Sequence, residues 1–173
     1  MDNFTDRMIR AAKLDVSLYE EVEADKSTLR QAMGVVVLAS LAAGIGQIFR
    51  DGLGGLILGT ISALAGWYIW AYVTYFIGTR FFAEPQTEAD HGQLLRTTGF
   101  SSSPGLLRIF GIIPVLGGIV VAISSIWMLV AMVIAVKQAL DYSSTLRAVG
   151  VCIVGWIFYI IIFGFLTFIL PGI

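Results

Sequence analysis

A chain of 173 residues has the length of a single domain, but its composition is not that of a water-soluble one. Hydrophobic residues make up 57% and charged residues 13%, against about 25% charged in ordinary soluble domains. The net charge of −1 argues against a nucleic-acid partner, and a single cysteine, Cys152, excludes an intrachain disulfide.

The charges come in blocks. Residues 31–49, 52–79 and 148–173 carry none, and Arg108 is the only charged side chain from Thr97 to Val136. Such apolar runs read as membrane spans. The chain is therefore expected to be an all-α integral membrane protein, with a polar segment over residues 1–30 and a membrane domain over residues 31–173. The opening MDNFTDRMIRAA is too polar for a cleavable signal peptide, so the first span is expected to insert uncleaved.

In residues 1–30 five basic side chains face seven acids. Phe4, Met8 and Ala12, then Leu14, Leu18 and Val22, recur at helical spacing and predict an amphipathic cytoplasmic or interfacial helix. Its negative balance is a poor match for a polybasic lipid-binding helix, and packing on the membrane domain is expected instead. Asp25 or Ser27 can cap the helix that follows.

Five spans are predicted, at about 32–49, 53–78, 94–113, 119–136 and 148–169. The second is longer than a ~30 Å hydrocarbon core requires, and Trp67, Tyr68, Trp70, Tyr72 and Tyr75 gather in its latter half like an interfacial aromatic belt. Residues 80–93 form the longest polar interruption, where Asp90 and Gln93 can make a capping pair. The third span carries Ser101, Ser102, Ser103, Pro104 and Gly105 at its middle, a combination that kinks helices even in membranes. Pro114–Gly118 reads as a tight turn, and Lys137–Arg147 as a short polar loop.

An odd number of spans puts the termini on opposite sides. With the N-terminus inside, nine basic residues fall in inner segments and only Arg50 in an outer loop. The positive-inside rule then makes the N-terminus cytoplasmic, in a multi-pass protein of the cell membrane whose C-terminus faces the far side.

Enzyme chemistry finds little support. The one histidine, His91, adjoins Glu88 and Asp90, but no second His or Cys supplies zinc-like spacing. Cys152 has no basic neighbour in sequence and reads as a packing residue. No Ser-His-acid set, phosphate-binding glycine loop or intramembrane carboxylate pair is present. No catalytic residue, metal site or cofactor is expected.

Arg108 is the leading candidate for a binding role, because a charge at membrane depth needs a partner or a function. Six α-helical residues separate it from Pro114, ~9 Å of rise, and Asp51 is the one acid in an outer loop. A pairing of Arg108 with Asp51 is expected, or failing that with Gln47 or carbonyls near the turn. With Ser101, Ser102, Ser103 and Pro104 these residues form a candidate lipid or substrate site. Small-residue stripes offer close helix packing: Gly55, Gly59 and Ala63 on the second span, Ser40 and Gly44 on the first, Gly118 and Ala122 on the fourth. They serve intrachain contacts or a homodimer seam.

Three segments carry a family resemblance: LYEEVEAD at 18–25, LLRTTGFSSSPGLLRIFGIIPVLGG at 94–118, and SIWMLVAMVIAVKQALDYSSTLRAVGVCIVGW at 125–156. The chain resembles the Yip (Ypt/Rab-interacting) membrane proteins in their prokaryotic branch, with Gly99 to Pro104 similar to the family's GYSxxP-type element. The resemblance implies five spans, a cytoplasmic N-terminus and a role in membrane organisation or traffic. Eukaryotic members carry a DLYGP-type motif before the first span. Here that region reads EADKSTLRQ, so a Rab-type GTPase partner does not carry over. Two functions follow as expectations: a non-enzymatic organiser that binds lipids or other membrane proteins, or a small transporter or lipid-moving protein built on the broken third span. A cavity at Ser101–Arg108 open to either face favours the second, and a dry, fully packed interior the first.

Overall fold

The computed structural model describes residues 3–169, with side chains at all of these positions except 50, 51 and 162–169. The described residues form helices joined by turns and loops, with no strand among them. Helices α1 (Phe4–Ala12) and α2 (Val16–Ala24) form the N-terminal unit. A 3-10 turn, Lys26–Thr28, leads into α3 (Leu29–Gly46), and Gln47 joins α3 to α4 (Ile48–Arg80). Helix α5 (His91–Phe100) runs into a ten-residue 3-10 helix, Ser103–Ile112. A turn at Pro114 then leads to α6 (Gly117–Ala139) and α7 (Thr145–Ile169).

Three helical stretches among the described residues are long and apolar enough to cross a membrane: Lys26–Gly46, Gly52–Arg80 and Gly117–Ala139. The second starts at Gly52 because α4 is broken there, at φ 64° and ψ −171°, a backbone region open chiefly to glycine.

The single N-terminal helix expected from periodicity is two helices. Leu14 takes φ 63°, and Asp15 accepts a hydrogen bond from the Ser17 amide to cap α2. The turn is held by charge. Arg10 pairs with Asp15 at 2.9 Å and Glu21 at 2.7 Å, while Arg7 reaches Glu21 at 2.7 Å. The first pair holds the Asp15 carboxyl down at about 2. Folding α1 back on α2 lets both apolar faces enter one core, where Ala11, Leu18, Tyr19 and Val22 meet Ala32, Val35, Phe100 and Ala135.

Helix α5 is the central post. It starts with the capping box expected of Asp90 and Gln93, and every residue from Leu94 to Phe100 is buried. Arg96, 4% exposed, donates through Nε to the Val22 carbonyl at 2.9 Å and through a terminal nitrogen to the Glu23 carbonyl. Those carbonyls end α2, so the buried cation sits at the negative pole of a helix. Gly99 lies against Ala32, where an added Cβ would fall closer than 3.0 Å to the Ala32 side chain.

A second core joins α4 to α7 through Ile77, Leu94, Val136, Leu140 and Val151. Tyr142 closes its end by donating to the Gly78 carbonyl at 2.8 Å. Glu84 takes the Ser143 amide at 2.9 Å and Arg147 Nε at 3.1 Å, which ties the loop after α4 to the loop before α7.

Two tests follow from the docking of α2 on α5. Arg96→Met strands two carbonyls and is expected to lower stability by about 3 kcal/mol, given ~1.5–3 kcal/mol per hydrogen bond to a charged group. Thermal unfolding in detergent checks it, with earlier proteolysis ahead of residue 30 expected as well. Glu23 accepts from Gln93 at 3.0 Å and is pushed up to about 7, first by burial and then by Asp141. A carboxyl raised on folding favours the native state while protonated. Unfolding temperature is therefore expected to fall as pH rises from about 4.5 through about 7, and Glu23→Gln to flatten that slope.

Candidate functional site

The segment read as the third span is α5 followed by a 3-10 helix, and its serines explain how the join is made. Pro104 supplies no amide at the first turn of the 3-10 helix. Ser101 Oγ donates to the Thr98 carbonyl and Ser103 Oγ to the Phe100 carbonyl, each at 2.7 Å. Both hydroxyls are buried and used on their own backbone, so they do not offer themselves to a ligand. Ser102 alone of the three faces a cavity. Pro104 is buried packing.

The narrow 3-10 helix lies between α3 and α6. At Gly46 an added Cβ would come far closer than 3.0 Å to the Arg108 carbonyl oxygen, and at Gly105 it would lie 2.9 Å from Met128 Sδ. Pitch matters for depth. At ~2.0 Å per residue, the six residues from Arg108 to Pro114 cover ~12 Å rather than the ~9 Å of an α-helix, so Arg108 lies farther from the turn than an α-helical span would put it.

Arg108 donates to Ser125 Oγ of α6 at 2.9 Å, and Ser125 in turn donates to the Val121 carbonyl. Its hydrogen bond thus goes to α6 rather than to the first hairpin. The expected partner Asp51 has its side chain outside the described residues. No acidic side chain pairs with Arg108 among the described residues, and its Nε is buried without a hydrogen-bond partner.

Arg108 stands where two cavities adjoin. One, of about 280 Å³, has polar Ser40, Thr98, Ser102 and Arg108 on its wall. Aromatic and thioether groups line the rest: Trp67, Trp70, Met128, Met132, Trp156 and Tyr159. The other, of about 220 Å³, holds Gln47, Gly44, Gly55 and Gly59 and shares Ser40, Ala63 and Arg108 with the first. Trp156, at the wall, is 46% exposed.

The small-residue stripes are therefore not all seams. Gly44 does approach α4 closely, at Leu56. Gly55, Gly59 and Ala63 line the second cavity instead, and a Cβ at Gly59 meets nothing within 4 Å. Gly118 also faces open space, and Ala122 is exposed, so this pair makes no close helix contact among the described residues. The aromatic belt splits by helical period. Trp67 donates to the Leu95 carbonyl at 3.1 Å and Trp70 is 8% exposed, while Tyr68 and Tyr72 point outward and flank His91 at 4.9 and 5.7 Å. Among the described residues no group of three His, Cys, Asp or Glu side chains converges as a metal site.

Several long apolar helices, three of them able to cross a membrane, define a multi-pass helical membrane protein. The family model described as the Yip1 domain matches residues 18–166, and the chain belongs to the Yip family, a membrane-traffic family. No curated protein and no solved structure matches it. The matched residues begin within α2, at Leu18.

The glycine contacts generate a paired test. Gly46→Ala forces the 3-10 helix away from α3 and is expected to cost about 1–3 kcal/mol, as overpacking does. Gly118→Ala, in open space, is expected to stay within about 0.5 kcal/mol of the parent. Thermal unfolding of both variants in one detergent reads the difference.

Proposed function

We propose that this Yip-family protein is a non-enzymatic membrane organiser that binds a membrane lipid within its helix bundle, at the Arg108 cavity. The observation that carries this is the pairing of opposites in one space: an arginine with an unsatisfied donor at one side, and tryptophan and methionine side chains over the rest. Ligand sites of this kind are mostly apolar with a few placed polar groups.

In this reading the chain crosses the membrane five times, with a cytoplasmic N-terminus. Helix α5 has ten residues and the 3-10 helix ten. At ~1.5 and ~2.0 Å per residue they rise ~35 Å together, enough for a ~30 Å core. The looser pitch lets a short, broken segment serve as a span. Helix α7, of 25 residues, supplies the fifth. The basic residues Arg80, Arg96, Lys137 and Arg147 then lie on the side of α1 and α2.

A second reading, movement of the bound lipid between leaflets, is favoured by the cavity at Ser102 and Arg108 and by the 3-10 helix beside it. Such helices seldom exceed three or four residues, and longer ones mark hinges or strain. A cavity beside one can change shape as it rewinds.

One experiment separates these functions. Native mass spectrometry of the purified protein is expected to show a retained lipid, and fluorescent-lipid scrambling in liposomes is expected to stay at background. Scrambling above background would favour the mover, and retention of no lipid of any class would end both readings.

A further inference from the structure

Among the described residues three buried polar side-chain atoms have no hydrogen-bond partner: Trp70 Nε1, His91 Nε2 and Arg108 Nε. Two of the three belong to side chains on the wall of one cavity. Buried donors left unpaired are costly, and two around one space describe the complement of an acceptor. Trp70 is more than nine-tenths buried. Its ring is held by Trp156 and Tyr159, with centroids at 5.9 and 6.5 Å, and it cannot swing to a partner elsewhere without breaking that stack.

Two further cavities share wall residues with this one. Towards Gln47 lies the second cavity, which shares Arg108. On the other side a third cavity, of about 290 Å³ between α6 and α7, shares Met132 and Trp156 and is lined by Leu129, Val133, Val149 and Cys152 among others. It presents no charged group. Together the three fall within the ~300–1,000 Å³ of small-molecule sites, graded from a cationic end to an apolar one.

We propose that the three cavities form one path for an acyl chain bearing an anionic phosphate or carboxylate head. Arg108 and Trp70 are the donors to the head, and the wall of Met132, Trp156 and Leu129 is the bed of the chain. This ligand class rests on the lipid-binding function proposed above. It goes further in requiring negative charge and a tail at once. Arg108 supplies a cation that no described carboxylate neutralises, so a neutral head leaves this half-buried charge uncompensated, whereas a charge-assisted bond uses it. A free anion would leave the apolar bed empty.

Native mass spectrometry of the full chain in detergent tests this, with four probes added singly: dioleoyl phosphatidylglycerol, oleate, dioleoyl glycerol and inorganic phosphate. Phosphatidylglycerol or oleate is expected to be retained at least about tenfold more than dioleoyl glycerol, the scale of one hydrogen bond to a charge. Whichever of the two binds identifies the head as phosphate or carboxylate. Arg108→Gln is expected to abolish the preference and Arg108→Lys to keep part of it, which separates loss of charge from loss of fold. Trp70→Phe, which keeps a ring but removes the donor, is expected to weaken anionic retention several-fold. Equal retention of dioleoyl glycerol would overturn the anionic head while leaving lipid binding intact. Displacement of the lipid by equimolar inorganic phosphate would overturn the tail path. Retention of no lipid at all would overturn the function on which both depend.

Discussion

A backbone that leaves α-helical geometry in an apolar setting must have its amides and carbonyls satisfied by protein. In this chain that requirement falls on the join between α5 and the 3-10 helix, and the rest of the molecule is arranged around it. Ser101 and Ser103 return their hydroxyls to the Thr98 and Phe100 carbonyls. Thr97 and Thr98 do the same within α5. Helix α3 comes close enough at Gly46, and α6 at Met128, to enclose the narrower helix from two sides. Helix α2 closes the end of α5 at which Arg96 joins its last carbonyls to that helix.

The two arginines near this post differ in how their charge is met. Arg96 is satisfied from within, by the carbonyls at the end of α2, which explains why a buried cation there is structural. Arg108 has one neutral hydroxyl from Ser125 and an unused Nε. The difference follows from what surrounds each. The end of a helix offers a cluster of free acceptors, whereas the middle of the apolar helix α6 offers only a serine.

The cavities have a packing origin as well. Enclosing a 3-10 helix with α-helices mismatches their surfaces, and small residues at Gly55, Gly59 and Ala63 leave space where larger ones would fill it. In lipid no hydrophobic force drives such space closed, because hydrocarbon is as apolar as the side chains. A void in a protein forfeits dispersion contacts unless something occupies it, and the polar atoms at this one decide what can.

Much of this was legible in the residues. Long uncharged runs require burial in hydrocarbon whatever the fold, so the membrane class, the helices α3, α4 and α6 and the polar breaks between them could be read directly. The Asp90–Gln93 capping box is local chemistry three residues apart and was equally readable. Arg108 stood out because a lone charge in an apolar run is rare. Other features depend on contacts between residues far apart in sequence. Arg96 counted only as one of nine basic residues of the inner segments, yet its partners are seventy-three and seventy-four positions away. Helical spacing in residues 1–30 could not reveal the turn at Leu14. Glycine spacing could not distinguish the close contact at Gly46 from the open space at Gly59 and Gly118, since spacing names a face and not what lies opposite it. The sequence by itself determined the solvent this protein lives in and where its helices start. Only tertiary structure decided which polar groups are satisfied and which are left free beside a cavity, because satisfaction is a property of neighbours and the neighbours come from other helices.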